Sequence, residues 1–213
     1  MKPRTKGIIL IIIASLLFGT APILAKLSHL ETQVLSTLTI RAITAALVAL
    51  LYLLATKTSL KISKRTFYVI FFIAFSAIII GDSIFIHALQ TLPAINAALI
   101  LNIQPLFIIL IGFMILGEKG NLSTRAYFSI IIIIFATFLI TTKTLDNIFR
   151  LKFGVVGDLL VVIAAIAWAF SDVVVKKHIK ENQAAILVFY PYLISALVLS
   201  LFLAPSFTTS QLS

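Results

Sequence analysis

Two ionisable residues stand well inside long apolar stretches of this chain. Arg41 and Asp82 each lie about seven residues, or roughly 10 Å at helical rise, from one end of such a stretch. Charged groups at bilayer depth face a protein interior or a watery cavity, so they mark candidate functional sites. We predict an Arg41–Asp82 ion pair, which serves either as a structural pair or as a solute or proton site.

Amide side chains and prolines are concentrated in one apolar stretch near the middle of the chain. It holds Asn96, Asn102 and Gln104, together with Pro93 and Pro105. Pro105 cannot donate a backbone hydrogen bond, so a carbonyl one turn earlier is free to meet a solute, water or another helix. The structural alternative for the amides is hydrogen bonding between helices, worth about 0.6–2 kcal/mol per contact. We predict that both prolines break the helix and that the three amides line a cavity for a neutral or zwitterionic solute.

The single tryptophan of the chain, Trp168, is a further candidate for a cavity wall. It is followed by Ser171 and Asp172, and it fits a lipid-facing position equally well. Asp172 lies one turn before Lys176, a spacing at which opposite charges pair on one helix face. The sequence therefore favours a structural role for Asp172.

The spacing of the remaining reactive residues argues against catalysis. The histidines, at positions 29, 87 and 178, are too scattered for a metal site, and the chain has no cysteine. The sequence has no glycine-rich phosphate loop, which argues against direct coupling to ATP. We predict a protein that is not an enzyme and that has neither a cofactor nor a metal.

Composition indicates where these residues must be placed. The chain is 61% hydrophobic and 11% charged, whereas soluble domains have about 25% charged residues. Its net charge of +10 could suggest nucleic acid. However, the basic residues form short clusters between apolar runs instead of one basic face, so we predict a lipid bilayer as partner and no nucleic acid.

Seven stretches are long enough to cross a bilayer as helices, which takes about 20 mainly apolar residues. They are residues 7–27, 34–55, 67–89, 92–116, 125–142, 154–175 and 184–204. Backbone groups cannot stay unpaired in lipid, and the alternation of a barrel is absent from the sequence, so the stretches are predicted as helices. The predicted fold is an all-α membrane protein with about seven transmembrane helices.

Basic residues are unevenly divided between the two sides of this arrangement. With the N-terminus inside, the outer segments hold Lys143, Arg150 and Lys152, with Lys26 near that boundary. The inner segments hold many more: Lys2, Arg4, Lys6, Lys57, Lys61, Lys64, Arg65, Lys119, Arg125, Lys176, Lys177 and Lys180. Cytoplasmic loops carry the excess of lysine and arginine, so we predict a cytoplasmic N-terminus.

The chain resembles itself at an offset of 150 residues. Five pairs illustrate the match: Gly7 with Gly157, Phe18 with Trp168, Lys26 with Lys176, Glu31 with Glu181, and Gln33 with Gln183. Chance similarity between apolar helices is the alternative, but the loop matches favour duplication. Five crossings precede the second copy, and an odd number makes the repeat inverted, as in many secondary transporters. We predict a five-helix unit over 1–142, an outer linker over 143–153, and the first two helices of an inverted copy over 154–213.

These residues resemble the EamA-type branch of the drug/metabolite transporter superfamily. Four stretches carry the resemblance: Phe18-Gly19 to Lys26, Arg41-Ala42 to Ala45-Ala46, Pro93-Ala94 through Pro105 to Gly117-Glu118, and Gly157-Asp158. The resemblance implies two five-helix units, whereas this chain has seven predicted helices. It also implies export of a small metabolite, such as an amino acid or related solute.

Together these observations predict a multi-pass secondary transporter in a bacterial or archaeal plasma membrane, working by alternating access on a small-molecule solute. The alternative is an incomplete, non-transporting membrane fragment or subunit. Such a subunit would need a second copy or another partner to complete its helix bundle.

Overall fold

Each predicted apolar stretch forms a helix in the computed structural model of the chain, which describes residues 3–31, 33–117, 124–142, 155–178 and 184–209. The helices are α1 (Pro3–Glu31), α2 (Val34–Ala55), α3 (Lys64–Thr91), α4 (Ala94–Leu116), α5 (Thr124–Thr142), α6 (Val156–His178) and α7 (Ala184–Thr209). The described residues contain no strand. Six helices are long and apolar enough to cross a membrane, and α5 has a shorter described apolar stretch, Phe128–Thr137. The predicted all-α membrane fold is confirmed.

Two parts of the prediction lie outside the described residues. They are the outer linker, 143–153, and the loop matches at Glu181 and Gln183. The division into a five-helix unit and a partial inverted copy stays a prediction.

Of the two prolines predicted to break the middle stretch, one lies just outside the helix and the other lies beside an interruption of it. Pro93 is the residue before α4 and has an extended ψ of 137°, so it separates α3 from α4 instead of breaking a span. The break within α4 falls at Asn102 and Ile103, whose backbone N–H groups bond three residues back. Pro105 follows in the first turn of the second segment, where its missing N–H is tolerated.

The core consists of two groups of helices joined by α3. On one side, α6 packs chiefly on α3 and α4, through Phe85, Ile100 and Ala164. On the other side, α2 and α7 pack extensively on each other, with Ala42 and Ala196 buried beside α3. Small residues let these two backbones approach closely. These two helices are equivalent in the predicted repeat, and each has the other as its main neighbour.

A glycine allows α6 to begin against the end of α3. A Cβ atom built on Gly157 would lie 2.5 Å from Thr91 Oγ1 and 2.8 Å from Leu92 Cγ. The neighbouring Asp158 accepts a hydrogen bond from the Val155 backbone N–H at 2.9 Å, which helps to hold the start of α6. Only a residue without a side chain fits this contact.

We expect Gly157→Ala to destabilise the protein by about 1–3 kcal/mol, because the added methyl overpacks the contact with α3. The matched control is Gly7→Ala, because Gly7 is the residue 150 positions before Gly157. A Cβ atom built on Gly7 has no neighbouring atom within 4 Å. Both substitutions gain similar helix propensity. Unfolding midpoints of the purified variants in detergent measure the effect, and equal midpoints would contradict the close contact.

Candidate functional site

A cavity of about 770 Å³ lies between α1, α2, α3, α6 and α7, with α4 contributing to one wall. Pockets for small molecules have volumes of about 300–1,000 Å³ and mainly apolar walls with a few placed polar groups. This cavity has that character. Its polar and aromatic lining residues are Phe18, Ser28, Thr37, Arg41, Asp82, Phe85, Gln104, Trp168, Ser171, Asp172 and Tyr192.

The lining residues of α1 and α6 occupy the same register of the predicted repeat. Four pairs at an offset of 150 face the cavity: Phe18 and Trp168, Ala21 and Ser171, Pro22 and Asp172, and Ala25 and Val175. Thr37 of α2 and Leu187 of α7 form a fifth pair. In the predicted topology the spans alternate in direction, so α1 and α6 would cross a membrane in opposite directions. That topology predicts that the equivalent residues line opposite halves of the cavity.

Arg41 and Asp82 meet in the cavity, as the sequence predicts. Arg41 Nη1 lies 3.1 Å from Asp82 Oδ2, and the side chains are 44% and 5% exposed, respectively. The other carboxylate oxygen, Oδ1, accepts a hydrogen bond from Trp168 Nε1 at 3.1 Å. Tyr192 of α7 lies against the same guanidinium. Both oxygens of Asp82 are thus engaged by the protein, while Arg41 remains half open to the cavity.

The segment of α3 that carries Asp82 is π-helical, a feature for which the sequence offers no periodic signal. The wide turns span Ala74–Asp82. Trp168 Nε1 also donates to the Ala77 carbonyl at 3.0 Å, and Ser195 Oγ of α7 donates to the Ala74 carbonyl at 3.3 Å. Side chains from α6 and α7 therefore bind carbonyls along this segment. Insertions of π-helix are rare and recur at functional sites.

Trp168 reaches α3 because residue 81 is glycine. A Cβ atom on Gly81 would lie 2.8 Å from Trp168 Nε1. A second contact, between Ser76 Oγ and Ser171 Oγ at 2.6 Å, holds the same two helices one turn away. The glycine beside an intramembrane aspartate is the one sequence signal that marks this close approach.

A second polar group lies where α4 is interrupted. Gln104 follows the break directly, and its Nε2 donates to Asp172 Oδ2 at 3.1 Å. Gln104 thus lines the cavity, as the sequence predicts. The partner of Asp172, however, differs from the predicted one. The sequence relates Asp172 to Lys176 on its own helix, whereas the structure joins it to α4. Spacing along one helix cannot reveal a partner on another.

The other predicted site residues lie apart from this group. Asn102 donates to the Ala98 carbonyl of its own helix at 3.4 Å, and Asn96 is half-buried elsewhere on α4. Neither is among the described residues that line the cavity. Pro93 lies in the turn before α4, where the Leu92 carbonyl accepts a hydrogen bond from Lys26 Nζ. After the break in α4, Gln104 lies at the cavity, whereas Asn102 is exposed outside the cavity lining.

Comparison with known proteins agrees with this architecture. The model of the EamA-like transporter family matches residues 5–142. An uncharacterized transporter of Methanothermobacter thermautotrophicus is 28% identical over 202 residues, covering 87% of this chain and 57% of the relative. The chain thus spans little more than half the length of that relative. No solved structure matches the chain significantly. Since the family model covers more than half of the sequence, the chain belongs to the EamA-like transporter family.

Proposed function

We propose that this protein is a secondary transporter that exports a small metabolite, such as an amino acid or related solute, by alternating access. The observation that supports it best is the cavity lined by residues of α1 and α6 that are related by the 150-residue offset. Inverted repeats with a site between them are typical of such transporters. Export and the solute class rest on the family alone.

The contacts of Trp168 suggest how one state of the cavity is held. Trp168 bonds to Ala77 and Asp82 of α3, and so fixes α6 against that helix. Its equivalent in α1, Phe18, has no group that can donate such bonds. A change to the opposite state of the cavity would break the hydrogen bonds of Trp168, and Phe18 could not form equivalent ones in their place. These two hydrogen bonds would therefore stabilise the state in which α6 lies against α3.

A subunit that works beside a partner is the second candidate. In this case a second copy or another membrane protein would add to the walls of the cavity. Transport by the purified chain in liposomes distinguishes the two candidates, because a subunit alone would move no solute under any gradient.

Accessibility of engineered cysteines tests alternating access, since the native chain has no cysteine. In oriented proteoliposomes, we expect a mixture of the common amino acids to raise the labelling of one of Ala21→Cys and Ser171→Cys and to lower that of the other. Both positions line the cavity, and the predicted inverted repeat puts them in opposite halves of it. A membrane-impermeant thiol reagent measures the rates.

The control for this labelling is Ile132→Cys on α5, an exposed apolar position outside the cavity lining. Its labelling should not respond to the solute. If Ala21→Cys and Ser171→Cys respond in the same direction, or neither responds, the two halves do not open alternately.

The same approach tests the proposed orientation in a bacterial or archaeal plasma membrane. We expect the impermeant reagent to label Gln33→Cys, before α2, in intact cells and Ser59→Cys, before α3, only after lysis. The basic residues near Ser59 favour the cytoplasm, which places Gln33 outside. Labelling of Ser59→Cys in intact cells would reverse the orientation.

Exchange of the two charges separates a structural role of the ion pair from a role in solute binding. Arg41→Ala should destabilise the protein by about 3–5 kcal/mol, because Asp82 stays buried without its cation. The double variant Arg41→Asp, Asp82→Arg should regain part of this stability but not transport, since the half-open guanidinium would be lost from its place. The thermal midpoint of unfolding measures stability, and the flux of solute across the liposome membrane measures transport. Restored flux would show that the pair is structural only.

A further inference from the structure

We infer that Asp172, held by Gln104 at the cavity wall, forms a subsite for a protonated amine of the solute. The inference rests on the proposed transport function and adds a chemical class to it. Asp172 is exposed, lines the cavity and accepts from Gln104 Nε2 through Oδ2. A carboxylate fixed in this way by an amide presents its remaining lone pairs to a donor in the cavity.

Asp172 lies too far from the end of α6 to be an ordinary surface residue. It lies six residues before the end of α6 at His178, or roughly 9 Å along the helix. Ionisable groups at such depth are costly unless they face the protein interior or a watery cavity. Asp172 satisfies this condition by facing the cavity.

The balance of charges in the wall favours a cation. The acidic and basic residues among the described lining residues are Arg41, Asp82 and Asp172. Arg41 and Asp82 neutralise each other at 3.1 Å. With both carboxylates ionised, the wall therefore carries one negative charge, at Asp172. This contrasts with the whole chain, whose net charge is +10, so the local sign is not a consequence of composition.

The surroundings suit an amine attached to an apolar or aromatic body. Trp168 lies one turn from Asp172 on the same helix, or about 6 Å along its axis. Phe85 contacts the Trp168 ring, with ring centroids 5.3 Å apart, and both line the cavity. Aromatic faces attract ammonium groups and accommodate apolar bodies. An acid without an amine would meet the carboxylate of Asp172 and be repelled.

The single tryptophan provides a direct binding measurement, because Trp168 is in the cavity wall. Three probes that share a phenylethyl group are titrated into the purified full chain: 2-phenylethylammonium, 2-phenylethanol and 3-phenylpropanoate. We expect the ammonium probe to change Trp168 fluorescence with at least about tenfold higher affinity than the alcohol, as for a hydrogen bond to a charged group. The carboxylate probe should bind most weakly.

Variants assign this preference to Asp172. Asp172→Asn should reduce the difference between ammonium and alcohol to less than about threefold, the range expected without a charge-assisted bond. Asp158→Asn is the matched control, because it removes the same charge from the same helix outside the cavity lining. It should keep the tenfold preference. Circular dichroism and gel filtration establish that both variants fold.

Three outcomes overturn the inference: no response to the ammonium probe at millimolar concentration, equal affinities of the wild-type protein for the ammonium and the alcohol, or an unchanged preference in Asp172→Asn. The measurement does not depend on transport. If the preference is found in a protein that moves no solute in liposomes, the subsite stands and the transport proposal fails. Transport without any amine preference overturns the subsite alone.

Discussion

Burial of one carboxylate constrains the arrangement of this helix bundle. Asp82 is 5% exposed within an apolar helix, and an isolated charge there would be strongly unfavourable. Arg41 of α2 and Trp168 of α6 each satisfy one of its two oxygens. Because each donor comes from a different helix, α3 must lie between α2 and α6. The cavity is the space that remains around this contact.

The π-helical segment of α3 follows from the same requirement. Trp168 must reach both the Ala77 carbonyl and Asp82, which lie five residues apart on α3. In wider turns, residues five apart come close to one another along the helix, so one indole N–H can meet both groups. Gly81 removes the side chain that would otherwise block the indole. The π-helical backbone and the missing side chain of Gly81 thus both allow the Trp168 N–H to reach its two acceptors.

Hydropathy and charge could predict the spans and the Arg41–Asp82 pair, because two costly charges at similar depth must find each other. The same reasoning could not predict the π-helical turns or the Gln104–Asp172 contact. Helices that are apolar on every side have no polar stripe from which the facing side can be read. Asn102 illustrates the difficulty. Its amide has the same chemistry as that of Gln104, yet the break in α4 turns it towards its own helix.

The Arg41–Asp82 pair and Asp172 would have different consequences for the proposed alternating access. Arg41 and Asp82 form a neutral pair, so enclosing them during the proposed exchange would cost little electrostatic free energy. A negative charge at Asp172 is different, since enclosure away from water raises the cost of an ionised carboxylate. A bound ammonium group would neutralise that charge during the exchange. The proposed amine subsite would then also couple the movement to the presence of solute, because the loaded cavity closes more easily than the empty one.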